Sequence, residues 1–97
     1  MKPSEVLEQN REAIREATKR FNAANPRVFG SVARGEDRPD SDLDILVDAL
    51  PTTTLFDLGG LLEELKGIMS GTPIHVLTPG DFPERVRLQV LQEARPI

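Results

Sequence analysis

The sequence predicts an α/β (α+β) fold, a small mixed sheet of three to four strands flanked by helices. Three observations predict it. Apolar residues recur at helical spacing in two long stretches, Ser4–Ala24 and Thr54–Met69. Short apolar runs of strand character lie at Arg27–Phe29, Leu43–Val47 and Pro73–Leu77. The second helical stretch joins two of these runs as a strand–helix–strand unit, whose crossover is right-handed and leaves its strands parallel.

In the first helix Leu7, Ile14 and Phe21 recur every seven residues, with Ala17 and Ala24 on the same side and charged residues elsewhere. Ser4 is its expected cap, Glu5 and Glu8 suit its positive end, and Asn25-Pro26 stops it. The first strand then runs from Arg27 to Phe29 and the second from Leu43 to Val47 or Asp48. Thr54-Leu55-Phe56-Asp57 fits a capping box with Asp in the Glu position. Behind it Leu58, Leu61, Leu62, Leu65, Ile68 and Met69 form a wide apolar stripe, either core or a partner surface, and Gly71 is the stop. The third strand follows. Thr78-Pro79-Gly80-Asp81 reads as the opening of a last helix, with an apolar side of Phe82, Val86, Val90 and Leu91.

The chemistry concentrates between the first two strands. Gly30-Ser31 reads as a tight turn, with Ser31 capping a very short helix that Gly35 closes. Free N–H groups there, with no Cβ at Gly30 to obstruct approach, make a phosphate seat. After the charged loop Glu36–Ser41, Asp42 and Asp44 share one strand face. Two neighbouring carboxylates repel unless a cation sits between them, and beside a phosphate magnesium is the usual one. For these parts to meet, the end of the first strand must neighbour the start of the second, so the two run antiparallel. A calcium loop beginning at Asp40 fails, because Ile45 stands where Gly is needed and Pro51 where Glu is needed. A Walker-type loop fails for want of Gly-Lys-Ser/Thr after Gly30.

The 97 residues make one small domain, residues 1–97. No cysteine is present, which removes disulfides and cysteine chemistry and fits a reducing, cytoplasmic setting. Met1-Lys2-Pro3 leads into a polar helix rather than a signal peptide, and no apolar run approaches a membrane span. A net charge of −4, with four Phe and neither Trp nor Tyr, argues against broad or direct nucleic-acid binding.

Ten residues separate Gly30-Ser31 from Asp42-Leu43-Asp44. That spacing, with Arg34-Gly35 inside it, resembles the signature of the nucleotidyltransferase superfamily that includes DNA polymerase beta. The small size resembles its minimal members. The likeness runs nearly the whole chain, through Thr78-Pro79-Gly80-Asp81 to Glu93-Ala94-Arg95-Pro96. It implies a nucleotidyltransferase fold. Within the superfamily the match is to antitoxins of two-gene toxin–antitoxin pairs, which transfer AMP from ATP to a tyrosine of a HEPN-domain ribonuclease toxin and so silence it. The implied roles are Gly30, Ser31 and Arg34 for the nucleotide, and Asp42 and Asp44 as catalytic ligands of Mg2+. The implied partners are ATP and a cognate HEPN-domain toxin protein. For Arg34, a solvated arginine on a short exposed helix is an equal alternative to a phosphate contact.

Members of this superfamily commonly carry a third acid on the strand after the crossover helix. Here Pro73-Ile74-His75-Val76-Leu77 resembles that strand, with His75 at the acid's position. A neutral imidazole can ligate a metal or accept a proton, but it lacks the charge that favours magnesium. His75 is therefore either a catalytic base or ligand, or a histidine whose ring is satisfied by a hydrogen bond. Asp48 and Asp81 are poor substitutes, since both should lie at the far ends of their strands. A binding-only antitoxin is the corresponding alternative function.

Overall fold

The computed structural model describes residues 1–97. In chain order the elements are α1 (Pro3–Arg20), β1 (Ala23–Phe29), β2 (Leu43–Ala49), α2 (Leu55–Ile68), β3 (Ile74–Leu77), α3 (Glu84–Glu93) and β4 (Arg95–Pro96), with a 3-10 turn at Pro79–Asp81 before α3. The sheet order is β3-β2-β1-β4. β1 runs antiparallel to both β2 and β4, and β2 runs parallel to β3. This is the mixed sheet with the expected directions, its fourth strand supplied by the tail.

β2 is covered on both faces, which is why it reads as an almost continuous apolar run. Leu43, Ile45 and Val47, with Val28 of β1, join a core cluster with Leu7, Ile14 and Ala17 of α1 and Leu61 and Leu65 of α2. The alternate residues Phe29 and Leu46 pack instead with Val90 of α3. Phe82 completes that second face, edge-on to Phe29 at 5.7 Å between ring centres. The α2 stripe is thus core: Leu61, Leu65 and Met69 are buried and Leu58, Leu62 and Ile68 half-buried. The capping box before it forms as expected, Thr54 N–H donating to Asp57 Oδ2 (2.9 Å) and Asp57 N–H to Thr54 Oγ1 (3.0 Å). No helix is long and apolar enough to cross a membrane.

Four boundaries differ from the sequence reading. α1 ends at Arg20, four residues early, because Asn22 adopts a left-handed φ of 59° and the amides of Phe21 and Asn22 close back onto Ala17 and Lys19. Ala23 and Ala24 consequently lie in β1, opposite Ala49 and Asp48. Asn25 (φ 51°) and Pro26 form a bulge, where the missing proline N–H costs no ladder bond. The last helix begins at Glu84 rather than Thr78. The Thr78–Asp81 cap forms, but Pro83 forces Phe82 into an extended conformation and ends the turn after one cycle. In the shorter helix Leu91 leaves the packed side and is 43% exposed.

The fourth difference concerns the start of α1. Lys2 holds the cap position, its N–H donating to Glu5 Oε1, while Ser4 N–H donates across the fold to Asp37 Oδ2 at 2.8 Å. Burial pushes the Asp37 carboxyl upward, but the bonds from Ser4 and the charge of Lys2 outweigh it and leave its pKa below the ordinary value. An acid with a lowered folded pKa stabilises above its unfolded value of about 3.9 and loses that contribution as pH falls through the folded value. Asp37→Ala is expected to cost about 1 kcal/mol at pH 7, a difference that vanishes in unfolding curves taken in strong acid.

Candidate active site

The sheet register assembles the site. Phe29 stands opposite Asp44, and Asp44 stands beside His75, so the end of β1 and the starts of β2 and β3 lie side by side. The Leu43 amide, donating to Pro73 O at 2.8 Å, holds β3 in line. Gly30 leaves β1 at φ +76°, and an added Cβ there would run into the Asp44 carboxylate. Glycine is needed at this point both for the backbone angle and for the space.

Residues 30–35 form an open turn rather than the expected short helix. Arg34 N–H reaches Gly30 O (3.1 Å), Gly35 N–H reaches Val32 O (3.1 Å), and Gly35 ends the turn at φ +72°. Four residues between two left-handed glycines allow one cycle and no more. The amides of Ser31, Val32 and Ala33 donate to no other group in the fold. Three successive free N–H groups beside a glycine have the chemistry of an anion seat.

Asp42 and Asp44 lie together at the mouth of the sheet. Burial pushes the Asp44 carboxyl above its ordinary pKa, His75 and Arg34 pull it down, and Asp42 and Glu93 push it further up. His75 Nε2 is 3.1 Å from Asp42 Oδ2, and both side chains are about half exposed. Asp48, by contrast, is at the other end of β2, paired with Arg27 (2.9 Å) and Asn25 (2.7 Å). Asp81 is held by the Thr78 amide at 2.8 Å. Neither is available as a third acid.

Two neighbouring carboxylates suit a hard cation, and the pKa of Asp44 is raised chiefly by its burial, with the charge of Asp42 adding to it. No three acidic, histidine or cysteine side chains gather tightly enough to hold a metal by themselves. That combination fits magnesium, which is commonly held by one or two carboxylates and completes its shell with phosphate oxygens and water.

Arg34 is near the seat, but its guanidinium already pairs with Glu36 (Nε to Oε1, 2.7 Å) and Glu93 (Nη1 to Oε1, 2.7 Å). Glu93 is the site residue the sequence reading missed. Its other oxygen, Oε2, accepts the Gly30 amide at 2.8 Å. One signal could have flagged it: an acid at the last position of a helix stands against the helix dipole. A surface groove of about 420 Å³ runs between α1 and this turn and shares Val32–Gly35 with the site, but neither Asp42, Asp44 nor His75 lines it.

The nucleotidyltransferase domain family matches residues 10–97. The chain is 32% identical over 88 residues to the protein adenylyltransferase MntA of Thermococcus cleftensis, covering 91% of this chain and 85% of that one. A solved structure assigned to the minimal nucleotidyltransferases superposes with a TM-score of 0.86 at 42% identity, covering 97% of this chain and 95% of the other. A toxin–antitoxin structure with AMP-PNP shares the fold at a TM-score of 0.73 and 19% identity, over 90% of this chain and 71% of that one. The family match spans most of the chain and the fold agrees with it, so the chain belongs to the nucleotidyltransferase domain family.

Proposed function

We propose that this chain is an antitoxin that transfers AMP from ATP to a tyrosine of a cognate HEPN-domain toxin protein, neutralising it, and that one domain over residues 1–97 suffices. The observation that carries the reading is the turn after Gly30, with free amides at Ser31, Val32 and Ala33, set against the Asp42–Asp44 pair. Kinship with a protein adenylyltransferase supports a protein as acceptor, because fold alone does not name a substrate.

The turn amides and the Ser31 hydroxyl bind the ATP phosphates. Arg34 adds those of its N–H groups that Glu36 and Glu93 leave free. Asp42 and Asp44 would hold Mg2+, which supplies charge neutralisation on the phosphates. The tyrosine oxygen bonds to the α-phosphorus and the bond to the β-bridging oxygen breaks, so that pyrophosphate leaves with that electron pair. His75 accepts the hydroxyl proton, its ring oriented by Asp42. Most of the rate enhancement then comes from positioning and charge.

The pairing of His75 with Asp42 also favours a second reading, in which a histidine in place of a third acid leaves a site impaired in transfer and the toxin is neutralised by binding alone. The test is incubation with labelled ATP, magnesium and the protein encoded by the adjacent gene. Label on that protein, absent with Asp42→Asn, supports transfer; a tight complex without label supports binding alone. If His75 stands in for a third ligand, His75→Asp is expected to raise transfer and magnesium affinity several-fold. A flat response would remove His75 from the metal shell.

A further inference from the structure

We propose that Glu93 is a positioning residue for nucleotide binding: it clamps the Gly30 amide and the Arg34 guanidinium, so that the open amides of the turn stay aimed at the phosphates. The proposal rests on the nucleotidyl-transfer reading above.

Both oxygens of Glu93 are committed, Oε2 to Gly30 N–H at 2.8 Å and Oε1 to Arg34 Nη1 at 2.7 Å. One carboxylate therefore ties the entrance of the turn to its exit. The tie is anchored on rigid elements. Val90, one turn earlier in α3, packs on Phe29 and Leu46, and Arg95, two residues later, pairs with Val28 in the sheet. Glu93 is thus held from both sides at the place where β1 gives way to the turn.

The local chemistry explains why such a contact would be kept. The C-terminal end of a helix carries partial negative charge, and α3 has no basic residue in its last turn to offset it. A carboxylate there is unfavourable for the helix alone and is compensated only by partners from the turn. Burial raises its pKa, but the bonds from Arg34 and Gly30 prevail and keep it below the ordinary glutamate value, so it is ionised at neutral pH. Departures from local preference of this kind concentrate at functional sites.

The consequence for binding has a diagnostic sign. Removing one negative charge beside a triphosphate would, by Coulomb's law alone, tighten binding. The clamp predicts the reverse. Without Glu93, Gly30 regains its conformational freedom, Arg34 keeps only Glu36, and the three free amides lose their common aim.

The experiment titrates magnesium–ATP into the wild-type chain and its variants by calorimetry, with thermal midpoints measured alongside. Glu93→Ala is expected to bind on the order of tenfold more weakly. Glu93→Gln is expected to fall between, because its amide oxygen can still accept from Gly30. Asp48→Asn, which breaks an ion pair at the far end of β2, should lower the midpoint and leave affinity unchanged. Equal or tighter binding by Glu93→Ala overturns the clamp, and so does an affinity loss in Asp48→Asn that tracks its midpoint. A wild-type chain that binds no magnesium–ATP overturns the transfer reading and this proposal with it. A wild-type chain that binds while Glu93→Ala matches it overturns the clamp alone.

Discussion

Asp44→Asn is expected to slow AMP transfer on the order of a thousandfold while raising the thermal midpoint. The loss follows from the charge. Asparagine keeps the shape and one oxygen but not the negative charge that holds a divalent cation, and metal stabilisation of a transferring phosphoryl group is worth several kcal/mol, with about 1.4 kcal/mol for each factor of ten. The gain follows from the environment. Burial, with Asp42 and Glu93 adding to it, raises the Asp44 pKa above its ordinary value. For an acid, a raised folded pKa means that ionisation is harder in the folded state than in the unfolded one. The penalty is absent below the unfolded value of about 3.9, grows as pH rises through the folded value, and is fully present at neutral pH. Asparagine removes it. Magnesium with ATP should stabilise the wild type, since a ligand of the native state raises its midpoint, and should barely move the variant. Calorimetric scans with and without the nucleotide complex, together with the labelled-ATP assay, measure both effects. A lower midpoint in the variant would mean that the Asp44 carboxylate is already satisfied in the folded protein.

Gly30→Ala is expected to lose more than tenfold in transfer and about 2 kcal/mol or more in stability, and Gly35→Ala only about 1 kcal/mol with transfer largely kept. Both glycines have φ near +75°, which costs any L-residue with a Cβ roughly 1–2 kcal/mol. They differ in surroundings. An alanine Cβ at position 30 meets Asp44 Oδ2, whereas one at position 35 meets nothing within 4 Å. The first substitution therefore adds a collision with a candidate metal ligand to the shared backbone strain. Urea unfolding separates the two stabilities, and the transfer assay separates the two activities. Equal losses in both variants would mean that strain alone matters and that Asp44 yields freely.

Much of this was legible in the chain, because short-range chemistry carries it. A seven-residue apolar period can only be a helix face, and it marked α1. The Thr54–Asp57 box, the apolar run of β2 and the left-handed glycines at 30 and 35 each depend on neighbours within a few residues. The antiparallel direction of β1 and β2 followed from the need for the glycine turn to meet the acid pair, and the parallel direction of β2 and β3 from crossover handedness. Boundaries were less legible where two local signals competed. Asn25-Pro26 looked like the end of α1 but is a bulge inside β1, because pairing of Ala23 with Ala49 outweighs the helix preference of two alanines. At Thr78 the cap was real, yet the proline five residues on allowed only a single 3-10 turn.

The sequence by itself determined the fold class, the two acids at the start of β2 and the glycine turn, since each is written in spacing and residue type. Only the tertiary structure decided what those groups touch. Asp37 caps a helix 33 residues away, His75 meets Asp42 across two parallel strands, and Glu93 closes on Gly30 from 63 residues down the chain. Such contacts depend on where packing brings distant segments together, and no local period encodes them.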